Sequence, residues 1–250
     1  MAAYEDLSED LRHLSVEDAV LSIEGLQRIN AVLINVQNVF RFFTSARQEI
    51  YPTLFNIIRP IDFDAELIKE IDKVIDEKGE IRPNASPELK KISNAIAAKQ
   101  RELDKSFRSI ITQYKQKGWL SENIESYRNG RRVLSVPSEH KRKIRGIIHD
   151  ESTTGKTAFI EPENIIRINN DIFDLETDKR REIYRILKAL STTLRPYCAL
   201  MMVYQELMIQ LDVISTKARL ALKMNAIQPK LKSRPNFGIK EAYHLSLIHI

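Results

Sequence analysis

Apolar and polar residues alternate with a helical period along most of the chain, and the period is lost once. Leu26, Ile29, Leu33, Val36, Phe40 and Phe43 recur at steps of three and four. That is the spacing of a helix with one buried face. Residues 5–60 are expected to form short helices, with Pro52 and Pro60 as breaks. Phe63 to Asp76 predicts another short helix, carrying Leu67, Ile68, Ile71 and Ile75 on one side and Gly79 as its C-terminal stop. Ser86 suits an N-cap and Pro87 the first helical position, and no Gly or Pro follows until past Lys117. Leu89, Ile92, Ile96, Leu103, Phe107, Ile110 and Tyr114 mark its seam. About 31 residues at 1.5 Å each make a rod of roughly 45 Å, the length of an extended arm or coiled coil. Pro162 opens a second long helix with its seam at Ile165, Ile168, Ile172, Leu175, Ile183, Ile186, Leu190 and Leu194. Its middle, DLETDKRREIYR, is so charged that this turn is expected to stand in solvent. After Pro196 the helix resumes over Leu200–Met224, with Met201, Met202, Leu207, Leu211, Ile214 and Leu222 as apolar positions. Its methionines read as gap-filling core.

The exception to the period is Gly130–Pro162. Gly118 and Trp119 end the first rod, and Asn129-Gly130 between two strand-like runs signals a hairpin. Val133, Leu134 and Val136, then Ile144, Ile147 and Ile148, then Ala158, Phe159 and Ile160 favour strands, with Ser152–Gly155 as a turn. Three or four short strands are expected. The fold class is therefore mainly α with a small β tip, and the two long helices, antiparallel neighbours through that tip, are expected to bury their seams on each other.

Charge changes this picture most. From Arg128 to Arg145 the cations Arg128, Arg131, Arg132, Lys141, Arg142, Lys143 and Arg145 face one acid, Glu139, a local balance of +6. The whole chain is +5, so everything outside that window sums to −1. Cations gathered on a β tip between charge-balanced helices suit a polyanion, because each phosphate contact releases counterions. The candidate nucleic-acid-binding residues are these seven and Lys156, at the tip of the neighbouring turn. The low counts of breakers, 7 Gly and 9 Pro in 250 residues, fit long helices with solvated faces. The lone Cys198 makes no internal disulfide and, among apolar neighbours with no His nearby, reads as a small buried hydrophobe. No apolar run is seen to approach the ~20 residues of a membrane span, and the acidic start lacks signal-peptide features, so a cytoplasmic protein is expected.

Other chemistry reads weakly. Thr154–Thr157 spells TGKT, but a phosphate loop needs a glycine where Asp150 stands, and a strand with Pro162 follows instead of a helix. A turn with a lysine at its tip accounts for it better. His149, Asp150 and Glu151 are adjacent, so on a strand they face alternate sides and converge on a metal only through a bulge. Asp150 or Glu151 is expected to neutralise a nearby Arg or Lys. No catalytic residue, cofactor or metal site is assigned to this chain.

The stretch KRKIRGIIHDESTTGKTAFIEPENIIRINN resembles the MutS-two family, the bacterial branch of MutS without the mismatch-reading domain. The matching positions are Gly130, Arg131, Val133, Val136, Gly146, Ile147, His149, Asp150, Ser152, Gly155, Thr157, Phe159, Ile160, Glu161, Pro162, Asn169 and Asn170. The sequence departs at Ser135 and Pro137, which bears on the first strand of the tip. NASPELKKI upstream, and LDVISTKARLAL and QPKL downstream, are also similar, so the resemblance covers residues 5–244. It implies a helical core part over 1–85, an outgoing lever over 86–118, a basic clamp over 119–162, a returning lever over 163–197, a core part over 198–238 and the truncated start of an ATPase domain over 239–250. It further implies a longer parent: a homodimeric ATPase using ATP and Mg, in many members also an endonuclease, that binds branched DNA to restrain recombination or acts on stalled ribosomes. This chain would then be the DNA-gripping segment or, alternatively, a structural arm contacting ribosomal RNA or protein. Leu245–Ile250 (LSLIHI) is expected to be foreign, since the family continues after Ala242-Tyr243-His244 with Pro and two Leu.

Overall fold

The computed structural model describes residues 3–120, 124–228 and 233. The segment 239–250, with Leu245–Ile250, lies outside them, as do Pro229, Lys230 and Leu231 of the QPKL stretch. The elements are α1 (Ser8–Ser15), α2 (Ile23–Phe42), α3 (Ser45–Ile50), α4 (Pro52–Ile58), α5 (Glu66–Val74), α6 (Pro87–Gln116), β1 (Glu125–Arg128), β2 (Arg131–Pro137), β3 (Gly146–Glu151), β4 (Thr157–Pro162), α7 (Glu163–Leu194) and α8 (Cys198–Lys223). The chain is thus mainly α with one small antiparallel sheet. It divides into two compact units, one of residues up to Glu17, Glu24–Lys69 and Leu194 onward, the other of Asp18–Ile23 and Glu70–Thr193.

In the first unit α2 is one helix of 20 residues, longer than the short helices expected there. Leu26, Ile29, Leu33 and Val36 are buried as the period requires. Tyr204 of α8 is also buried; its hydroxyl donates to the Asp62 carbonyl at 2.9 Å and accepts the Asp64 N–H at 3.0 Å. Such a partner is what allows a phenol into a core. The α8 stripe is only partly core. Met201, Leu207 and Met208 are buried, but Met202 and Leu222 are exposed, so the methionines are not all gap-fillers. Cys198 is half-buried, and burial pushes its thiol up. One 18-residue window within Glu163–Lys223 is long and apolar enough by composition to cross a membrane, with mean hydropathy 1.3. The expectation of no such stretch is corrected; two acids in the window do not outweigh its Leu, Ile, Met and Val.

The second unit holds the long helices and the sheet. Ser86 caps α6 as expected, its Oγ accepting the Leu89 N–H at 3.0 Å, and Pro87 is the first helical residue. The same hydroxyl donates to Glu182 Oε1 of α7 at 2.5 Å, and Lys99 pairs with Asp171 at 2.9 Å. α7 has no buried residue between Asn169 and Glu182, which agrees with its charged middle. Glu182 itself is the exception: it is buried, so that part of the stretch is not solvated. Gly79 does not stop α5. The helix ends at Val74, Ile75 bridges to Ile81, and Gly79, at φ 80°, serves the turn between them.

The strand order is β1-β2-β4-β3, every pair antiparallel. Asn129 (φ 52°) and Gly130 (φ 75°) form the two-residue turn between β1 and β2, where both positions must be left-handed. Leu134 and Val136 of β2 and Ala158 and Ile160 of β4 bury against Leu103, Phe107 and Ile110 of α6 and Ile165 and Ile168 of α7. Ile144, expected in a strand, sits in the loop before β3 and joins this core. Ser135 and Pro137 both lie within β2, so the departure there does not end the strand.

Candidate nucleic-acid interface

Half of the eight predicted cations answer acids of the same unit. Arg131 Nη1 meets Glu161 Oε1 at 3.0 Å, and its Nη2 donates to Asn170 Oδ1 at 2.6 Å. Glu161 has a side chain that is 0% exposed, and it also accepts from Asn169 Nδ2 at 2.7 Å and meets His149 Nε2 at 2.6 Å. Burial alone would push this carboxyl up. The hydrogen bonds from Asn169, His149 and Arg131 outweigh burial and hold it below the usual range. Arg132 meets Glu125 Oε2 at 2.5 Å, contacts Asp104, and lays its guanidinium 4.4 Å from the Phe107 ring centre. With 12% of its side chain exposed, Arg132 is part of the packing. Arg128 reaches Asp150 at 3.2 Å and stacks 3.5 Å from the Phe159 centroid, and Lys141 reaches Glu151 at 2.7 Å.

The His149-Asp150-Glu151 run therefore disperses. The register shifts between Ile148 and Asp150, leaving His149 as the extra residue of a β-bulge. Each of the three takes a different partner, and among the described residues no group of three His, Cys, Asp or Glu could hold a metal.

Arg142, Lys143, Arg145 and Lys156 are exposed and join no ion pair among the described residues. Gly146 pairs with Pro162 and Glu151 with Ala158, so Arg145 stands at the α7 end of the sheet and Lys156 at the other. At about 3.3 Å per residue the two are roughly 20 Å apart, with the loop of Arg142 and Lys143 between. The cations form a band along the loop from the Lys156 end of the sheet, where the Ser138 N–H donates to the Lys156 carbonyl, to its α7 end, and not a point. The structure adds Lys117, which sequence reasoning missed. Its Nζ lies 4.7 Å from the Trp119 ring centre, and Lys143 Nζ lies 5.7 Å from the same ring. Lys117 closes a helix by sequence and lies outside the charged window; its place just before Gly118-Trp119 was the only signal.

The TGKT stretch is a turn. Gly155 (φ 66°) donates its N–H to the Ser152 carbonyl at 2.7 Å, and the Thr157 N–H goes to Ser152 Oγ at 3.0 Å. These amides are spent inside the turn, and β4 follows where a phosphate loop needs a helix.

In class, then, this is a mainly helical protein in which a pair of long helices carries a small antiparallel sheet edged with exposed cations. No protein-family model matches the chain. It is similar to endonuclease MutS2 of Pelotomaculum thermopropionicum, 32% identical over 241 residues, which is 96% of this chain and 30% of that protein. It is also similar to endonuclease MutS2 of Carboxydothermus hydrogenoformans, 32% identical over 98% of this chain and 31% of that protein, and of Finegoldia magna, 31% identical over 88% and 28%. Over the segment it spans, the chain belongs to the MutS2 family, and it corresponds to about 30% of the length of these curated relatives.

Proposed function

We propose that this chain is the nucleic-acid-gripping segment of a MutS2-type protein that acts on branched DNA. The observation that carries the reading is the band of Arg142, Lys143, Arg145 and Lys156, exposed and without acid partners among the described residues, in a chain nearly neutral elsewhere. In this reading α6 and α7 are levers and the sheet is the clamp. Lys117 joins the band. Arg128 and Lys141 are held by exposed acids, and such pairs cost little to break, so both can turn to phosphate. Arg131 and Arg132 set the sheet against the helices and, held by acids of the same unit, do not grip phosphate. Backbone contact carries no base information, so binding depends on shape and not on sequence. The parent is a cytoplasmic homodimer whose ATP, Mg and nuclease chemistry belong to other segments.

The test is equilibrium binding of a four-way DNA junction and a linear duplex, with an RNA duplex alongside. Replacing Arg142, Lys143, Arg145 and Lys156 with Ala is expected to weaken junction binding by about tenfold or more at moderate salt. Unchanged affinity would refute the reading, and a loss confined to the RNA duplex would move the site to ribosomal RNA.

A further inference from the structure

We infer that the groove between α6, the β1–β2 hairpin and α7 is a receptor for an unstacked nucleobase of a single strand. The groove encloses about 540 Å³ and is bounded by Gln100 of α6, Tyr127 and Asn129 of the hairpin, and Phe173, Glu176 and Arg180 of α7. Pockets of about 300–1,000 Å³ hold ligands of the size of a nucleotide. Tyr127 is 65% exposed and Phe173 56%, and neither ring contacts another aromatic ring among the described residues. Single exposed apolar residues are ordinary. Two unpartnered rings on separate elements lining one groove form a stacking site, because every base offers a π-face.

The polar groups agree with this occupant. The amides of Gln100 and Asn129 each supply donors and an acceptor, as a base edge requires. The Glu176 carboxylate disfavours a phosphate inside the groove but accepts from an exocyclic amino group. Arg180 keeps one hydroxyl partner, Thr177 Oγ1 at 2.9 Å, and no ion pair among the described residues, so its charge is available to the phosphate of the bound nucleotide. An aliphatic ligand would use none of these amides and charges. The inference rests on the reading that the same unit grips nucleic acid: junctions and single-strand ends are where a duplex presents unstacked bases.

The experiment is fluorescence anisotropy of the whole chain with a labelled single-stranded dodecamer and with the duplex of the same sequence. Phe173→Ala and Tyr127→Ala, both at exposed positions, are expected to weaken single-strand binding about fivefold or more and duplex binding by less than about twofold. Phe173→Tyr keeps the ring and should keep the affinity. A strand carrying 5-bromodeoxyuridine should photocrosslink to Tyr127 or Phe173. No single-strand binding by the wild type, equal losses on both ligands, or crosslinks only elsewhere would overturn the inference. The fourfold band variant separates the two proposals. If it loses both ligands while Phe173→Ala changes nothing, the groove falls and the gripping role stands. If Phe173→Ala acts and the band variant does not, the reverse holds.

Discussion

Glu161 is the residue on which the geometry of the sheet turns. Its carboxylate is fully buried, and it binds one group from β2, one from β3 and one from α7: Arg131, His149 and Asn169. Truncating one partner of a buried charge pair leaves the other uncompensated and costs about 3–5 kcal/mol, so Glu161→Ala should lower the thermal midpoint of the chain sharply. Differential scanning calorimetry checks this, and a shift no larger than that of an exposed Glu→Ala would contradict it. The acid dependence follows from the direction of the shifts. Glu161 and Glu182 both have carboxyls held below the ordinary glutamate value of 4.5 when folded, Glu182 at about 2 by Arg185 and the Ser86 hydroxyl. Unfolded chains therefore bind these protons first. Stability from both is complete above about 4.5 and is lost as the pH falls, for Glu182 on the way to about 2. In urea titrations, the gap between wild type and Glu161→Gln should shrink across that fall.

At the scale of elements, local rules were legible and long-range ones were not. Ser86-Pro87 and Asn129-Gly130 work through neighbouring backbone alone, and both appear where expected. Ser86→Ala should cost about 1 kcal/mol through the lost cap, and more because Glu182 loses a donor; chemical denaturation reads it. The burial of Glu182 was illegible because its partner stands 96 positions away. Ile144 misled through its β-branched side chain, which fills the core from a loop. The splitting of the cations was equally hidden. Which four answer Asp150, Glu161, Glu125, Asp104 and Glu151 depends on strand register and on a bulge at His149. Gly146 shows how tight that register is. A Cβ there would lie 2.1 Å from the Glu161 carbonyl oxygen, so Gly146→Ala must push β3 off β4. The expected cost is at least the 1–3 kcal/mol of overpacking, with hydrogen-exchange protection lost first along β3. Retained protection there would contradict the register.

Across the whole molecule, a net charge of +5 over 250 residues would be unremarkable if it were evenly spread. It becomes a functional argument because the excess sits on one sheet and the loops that join its strands, and because the cations that survive internal pairing all lie in those loops. The chain belongs to the MutS2 family over this segment, the proposed reading takes nucleic acid as the polyanion, and about 70% of the length of such relatives lies beyond the matched span. The central claim is that the band grips phosphates. The most direct test is the slope of log affinity against log salt for junction DNA, measured for the wild type and for the variant with Arg142, Lys143, Arg145 and Lys156 replaced by Ala. Each phosphate contact contributes about −0.9 to the slope, so removing these four should make it shallower than the wild type's by roughly 3 to 4, with Lys117, Arg128 and Lys141 supplying what remains. A control with Arg132→Ala should lose stability but keep the wild-type slope. A fourfold variant that keeps the full slope and affinity would contradict the account.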